Sequence, residues 1–72
     1  MQKFDGKALR REREMRNKRR EDLAVALNRS YENIRAYETG RTDPPASVLA
    51  SLADVIGCDP GAFFTEDNDD AA

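Results

Sequence analysis

Between Arg20 and Thr39 the chain sets two short amphipathic segments on either side of a polar break, Asn28-Arg29-Ser30, and no other feature constrains the fold as much. The first segment carries Leu23, Ala24 and Leu27 on one helical face. The second carries Ile34 and Tyr37 on one face and stops at Glu38-Thr39-Gly40. A residue as small as Ala24 lets two helices approach closely where they cross. A break this short then forces the two segments into one compact unit at a steep angle.

The flanking sequence extends the pattern to five helices with almost no strand signal. Helix 1 starts near Asp5, whose carboxylate can cap free backbone N–H groups, and runs over Lys7–Arg16 with Ala8, Leu9 and Met15 as its apolar contacts. Asn17 suits the left-handed position that ends it. Helix 2 covers Arg20–Leu27, with Glu21 and Asp22 favourably placed in the first turn. Helix 3 opens at Ser30 as N-cap and runs to about Glu38, with Gly40 as its stop. The double proline Pro44-Pro45 makes an extended loop and starts helix 4, whose Val48, Leu49, Leu52, Ala53 and Ile56 recur at helical spacing before Gly57. Asp59-Pro60 reads as an N-cap and first-turn proline for a short helix 5 bearing Phe63 and Phe64. The expected division is a helical domain over residues 1–64 and a disordered acidic tail over residues 65–72.

At 72 residues the chain is one domain with a marginal core. The net charge of −2 conceals a strong asymmetry. Residues 1–42 hold all twelve Lys and Arg against seven acids, which gives +5; the remainder holds seven acids and no base, which gives −7. The basic half contains the two amphipathic segments. A single cysteine, Cys58, forms no intrachain disulfide and fits a reduced, cytoplasmic setting. No apolar run approaches the ~20 residues of a membrane span, and the opening Met1-Gln2-Lys3-Phe4 does not read as a signal peptide. Enzyme chemistry is poorly served: there is no histidine, the lone cysteine has no base beside it, and no Cys/His metal cluster or convergent carboxylate pair is visible. No cofactor, metal or small-molecule ligand is expected.

Two short helices joined steeply, the second lying in a basic half, have the shape that places one helix in the DNA major groove. On the residues Leu9, Arg13, Glu21, Leu23, Ala24, Ser30, Ile34, Tyr37, Glu38, Gly40, Pro44 or Pro45, Leu49, Leu52, Ala53 and Ile56, the chain resembles the lambda-repressor-like (Xre or Cro type) helix-turn-helix family from about Gly6 to Phe64. The resemblance implies an all-α, compact five-helix domain with helix 3 as the reading helix, and an ion pair between Arg13 and Glu38. It also marks departures. The family often has Gly, an apolar residue, Ser or Thr, and Gln where this chain has Asn17-Lys18-Arg19-Arg20, and apolar residues where it has Glu12 and Arg29.

Helix 3 presents Tyr31, Glu32, Asn33, Arg35 and Ala36 on the face opposite Ile34 and Tyr37. Arg35 could donate twice to guanine, Glu32 could accept from cytosine N4, and Asn33 could pair with adenine. The resemblance implies base-facing positions for Tyr31, Glu32 and Ala36, with Ala36 offering only a methyl-sized contact, and turns Asn33 toward the backbone. A solvated helix face is the alternative for each. Phosphate contacts are expected from Arg20, Ser30, Arg41 and Thr42, together with backbone N–H groups around Thr39–Thr42. Arg10 and Arg11 read as an ordinary solvated face. Phe63 and Phe64 read either as core or as a dimer patch. One such domain covers a half-site, so a homodimer with two helix 3 copies ~34 Å apart is expected on double-stranded DNA.

The function expected is therefore a sequence-specific, cytoplasmic, nucleoid-associated transcriptional regulator of bacterial or phage type, acting as a repressor on a palindromic operator. Two alternatives stand beside it. One is an antitoxin or restriction-control autoregulator of the same fold. The other is a helical protein-interaction module that does not read DNA, against which the basic cluster and Arg35 argue.

Overall fold

Helix starts fall where the sequence supplies a carboxylate or hydroxyl to receive free backbone N–H groups. The computed structural model describes residues 1–66. Its order is β1 (Gln2–Phe4), α1 (Gly6–Met15), α2 (Arg20–Leu27), α3 (Tyr31–Thr39), α4 (Ala46–Ile56), a 3₁₀ turn (Pro60–Phe63) and β2 (Phe64–Glu66). Asp5 accepts from the Lys7 N–H at 2.9 Å, Ser30 Oγ from the Asn33 N–H at 3.0 Å, and Asp59 from the Gly61 N–H at 2.7 Å. α2 lacks such a cap, because Arg19 carries no acceptor. Only the return half of a capping box forms: the Arg19 N–H donates to Asp22 at 2.8 Å. That bond, helped by the Arg19 charge, holds the Asp22 carboxyl below its ordinary range. Pro45 stands just outside α4 and does not begin it. The ends of α2, α3 and α4 and the residue after α1's cap are all left-handed, at Asn28, Gly40, Gly57 and Asn17 respectively.

The apolar faces of the four helices meet in one cluster formed by Leu9, Leu23, Ala24, Ile34, Tyr37, Val48, Leu52, Ala53, Ile56 and Phe63. α3 packs against α1 and α2, α4 packs against α2, and the 3₁₀ turn closes the space between α1 and α4. The α1–α3 contact depends on Gly6. A Cβ there would lie 2.6 Å from the Glu38 carbonyl oxygen and closer still to that of Tyr37, both backbone atoms that a flexible side chain cannot move aside. Met15, expected to contribute to the core, is instead 65% exposed at the outer end of α1.

Three expectations need correction. Among the described residues there are four α-helices rather than five: the segment after Asp59 is a four-residue 3₁₀ turn. Proline and glycine leave too little chain for an α-turn to propagate before Phe64 becomes extended. The fold is also not purely helical. β1 and β2 pair antiparallel, with Gln2 opposite Glu66, Lys3 opposite Thr65 and Phe4 opposite Phe64. The two rings meet edge-on, with centroids 6.2 Å apart and planes at 82°. Finally, Thr65 and Glu66 belong to β2, so the expected tail boundary at residue 65 falls inside a strand. The rest of that tail, residues 67–72, lies outside the described residues.

Candidate nucleic-acid interface

The anchor of the site is a buried carboxylate. Glu38, with a side chain only 1% exposed, closes the last turn of α3. It accepts from Arg13 Nε at 2.6 Å and Arg13 Nη2 at 3.1 Å in a bidentate fork, and from Arg20 Nε at 2.9 Å. The remaining arm of Arg13 donates to the Lys18 carbonyl at 2.9 Å. α1, the loop after it, the start of α2 and the end of α3 are thereby tied through one acid. Burying charge is costly unless every partner is supplied, and among the described residues no buried side-chain nitrogen or oxygen lacks a partner. The cluster of two guanidiniums and one carboxylate keeps a net charge of +1 beside α3.

Arg20, expected at a phosphate, is engaged within the fold. The hydrogen bond to Glu38, then the one to Tyr31, drive its pKa still higher than usual for arginine. Its Nη1 donates to the Tyr31 hydroxyl at 3.0 Å, and its guanidinium carbon lies 5.8 Å from the centre of the Tyr31 ring. Two of its three nitrogens are engaged internally. Nothing local in the sequence announces this, since Arg20 and Tyr31 lie eleven residues apart on different helices. The single carboxylate at Glu38, facing a run rich in arginine, was the available hint.

Burial divides α3 as a reading helix requires. Ile34, Tyr37 and Glu38 face inward. Tyr31, Glu32 and Arg35 are exposed, while Asn33 and Ala36 are half-buried. Arg35 Nη1 stands 3.9 Å from Glu32 Oε1, an exposed pair too loose to hold either side chain. Ser30, Glu32, Asn33, Ala36, Arg41 and Thr42 line one shallow depression. Three of the four residues expected at phosphates thus share a surface with three expected at bases. Arg20 and Tyr31 together form a separate element. Asn33 is partly engaged, because its side-chain oxygen accepts from Arg29 Nη1 at 3.4 Å. Arg29, in the turn before α3, thus reaches this face.

The backbone N–H groups expected to meet phosphate are largely occupied. Gly40 donates to the Tyr37 carbonyl at 3.3 Å, and Arg41 and Thr42 both donate to the Ala36 carbonyl, at 3.0 and 3.4 Å. The left-handed Gly40 turns the chain back onto the end of α3, so these groups close the helix. In this segment the side chains of Thr39, Arg41 and Thr42 remain exposed to a ligand.

Elsewhere the chemistry is sparse. Arg10 donates to Glu14 at 3.0 Å one turn along α1, and this bond lowers the Glu14 pKa. Burial pushes the Cys58 thiol up, with Glu12 adding to the effect, so its thiolate is disfavoured. Among the described residues no three His, Cys, Asp or Glu side chains could hold a metal ion. No described helix is long and apolar enough to cross a membrane.

Two helices joined by a left-handed turn, the second exposing a polar face above a buried one, define a helix-turn-helix DNA-binding domain. The chain belongs to the helix-turn-helix domain family, which it matches over residues 6–62. In structure it is similar to the restriction-modification controller protein C.AhdI from Aeromonas hydrophila, at a TM-score of 0.74 and 21% identity over 81% of this chain and 88% of that one. No curated protein matches the chain in sequence.

Proposed function

We propose that this chain is a transcriptional regulator that binds a palindromic operator as a homodimer, most simply as a repressor, with α3 of each protomer in the major groove. The observation that carries the reading is the division of α3: Tyr31, Glu32 and Arg35 stand exposed while Ile34, Tyr37 and Glu38 are buried. A helix held this rigidly from behind can present side chains to base edges without the entropic cost of ordering a loop. In this reading Arg35 donates to guanine O6 and N7, Glu32 accepts from cytosine, and Tyr31, Asn33 and Ala36 complete the base-facing set. Ser30, Arg41 and Thr42 hold phosphates, and Arg20 reaches one only through its remaining Nη2. The protein acts in the cytoplasm at the nucleoid and needs no cofactor.

A second reading is favoured by one observation, the likeness to a restriction-modification controller. Here the same DNA-binding surface acts on the promoter of the protein's own operon.

Both readings require binding that weakens with salt. Arg20 and Arg41 from two protomers would displace four counterions, so the logarithm of affinity should fall against that of salt concentration with a slope of about −3 to −4. Fluorescence anisotropy on a duplex carrying the operator, with sedimentation of the complex, measures slope and stoichiometry together. A flat salt response, or a single protomer on a palindromic site, would sink the proposal.

A further inference from the structure

We propose that Arg20 sets specificity at a distance: by donating to the Tyr31 hydroxyl, it makes Tyr31 a one-way hydrogen-bond donor that reads an acceptor-bearing base edge. The inference rests on the assignment of α3 as the DNA-reading helix and adds to it the chemistry that one position must recognise.

A phenol has one proton to give and lone pairs to receive, so a free tyrosine can meet either a donor or an acceptor. Tyr31 is not free. Arg20 Nη1 donates into its oxygen at 3.0 Å, which occupies a lone pair and directs the hydroxyl proton away from the guanidinium. The same guanidinium lies 5.8 Å from the ring centre and restrains the ring as well as the oxygen. Arg20 in turn cannot swing away easily, because its Nε is fixed at 2.9 Å to Glu38, whose side chain is 1% exposed. The chain of constraint runs from a buried acid through a half-buried arginine to a tyrosine 38% exposed at the first position of α3. N-terminal residues of a reading helix are those that meet base edges.

Donation by a cation into the phenol oxygen also polarises the outgoing O–H and strengthens it as a donor. In the major groove guanine offers N7 and O6, thymine offers O4, and adenine offers N7 beside its own N6 donor; cytosine offers only a donor, N4. The position under Tyr31 should therefore prefer guanine or thymine and reject cytosine. Arg20 is a positioning residue here, since its effect on that base passes through Tyr31.

The test uses the full chain and the duplex it enriches from a random pool, together with duplexes altered at each single position. Anisotropy is measured for wild type, Tyr31→Phe, Arg20→Met and the double variant, each checked for folding by its thermal melt. Tyr31→Phe keeps the ring and guards against a failure of Arg20→Met to fold. Each single variant should cut the preference for the enriched duplex over the one with cytosine at the read position by about tenfold, and Arg20→Met, which also gives up a phosphate contact, should weaken both duplexes by a further common factor. The double variant should lose no more base preference than either single variant. Loss by Tyr31→Phe that is equal on all sequences would place the hydroxyl on a phosphate and overturn the inference. So would an Arg20→Met protein that keeps the base preference, or losses of preference that multiply in the double variant. A wild type that enriches no sequence would instead overturn the DNA-reading assignment, and this inference with it.

Discussion

Replacement of Glu38 by alanine is expected to cost about 3–5 kcal/mol of stability, because it leaves the buried Arg13 without its counter-charge. The side chain of Arg13 is 8% exposed, and two of its nitrogens are directed at the missing carboxylate. The bond from its Nη1 to the Lys18 carbonyl would remain, with a loose ion pair at 3.8 Å to the half-exposed Glu14. Arg20, at 22% exposure, can turn to water and suffers less. A domain of this size has a total stability of roughly 4–11 kcal/mol. The variant should therefore melt more than about 12 °C below the wild type, at the usual conversion of 4–8 °C per kcal/mol. Breaking a buried pair is far more costly than replacing it whole. The combined change Arg13→Met with Glu38→Leu should accordingly recover much of the loss. A melt within about 4 °C of wild type for Glu38→Ala alone would show that the cluster does not hold α1, α2 and α3 together.

The second large effect is expected at Phe63. Its ring is fully buried where the 3₁₀ turn closes the gap between α1 and α4, and its carbonyl accepts from the Asp5 N–H at 2.8 Å. Phe63→Ala opens a cavity beneath both helices and should cost about 3–5 kcal/mol. In urea the midpoint should fall while the slope stays near the wild-type value, since the surface exposed on unfolding hardly changes. The shift should not depend on protein concentration, which separates a core residue from a dimer contact. Phe64→Ala should cost much less, because that ring is half-buried and chiefly meets Phe4. A Phe63→Ala protein of unchanged midpoint but altered association would reverse the two assignments.

The parts of this fold that were legible in the sequence are those governed by local rules. Asp5, Ser30 and Asp59 cap their elements as short polar residues do, Gly40 and Gly57 end theirs, and the apolar positions of α2, α3 and α4 repeat at helical spacing. What was missed depends on partners far away in the chain. β1 becomes a strand only because residues sixty or more positions later lie beside it. Three residues with one half-buried ring carry no alternation that could be read alone. The same holds in the candidate interface. The exposed face of α3 followed from the burial of Ile34 and Tyr37, a matter of helical period. The binding of Arg20 to Glu38 and Tyr31 did not, because it joins α2 to both ends of α3 across the fold. Charge alone marked Arg20 for phosphate and carried no sign of its bonds to a buried acid and a tyrosine. Arg41 and Thr42 illustrate a related limit: their N–H groups serve the Ala36 carbonyl because Gly40 reverses the chain there.

The central claim, that α3 reads DNA sequence, is tested most directly by selection from a random duplex pool at about 150 mM salt, where non-specific attraction is weak, with wild type and Arg35→Ala side by side. Arg35 is exposed, and its only ion-pair neighbour among the described residues is Glu32 at 3.9 Å, so its removal should leave the fold intact. Wild type should enrich a palindrome, and Arg35→Ala should lose preference at one guanine in each half-site, worth about 1–3 kcal/mol. No enriched sequence from a folded wild-type protein would contradict the account.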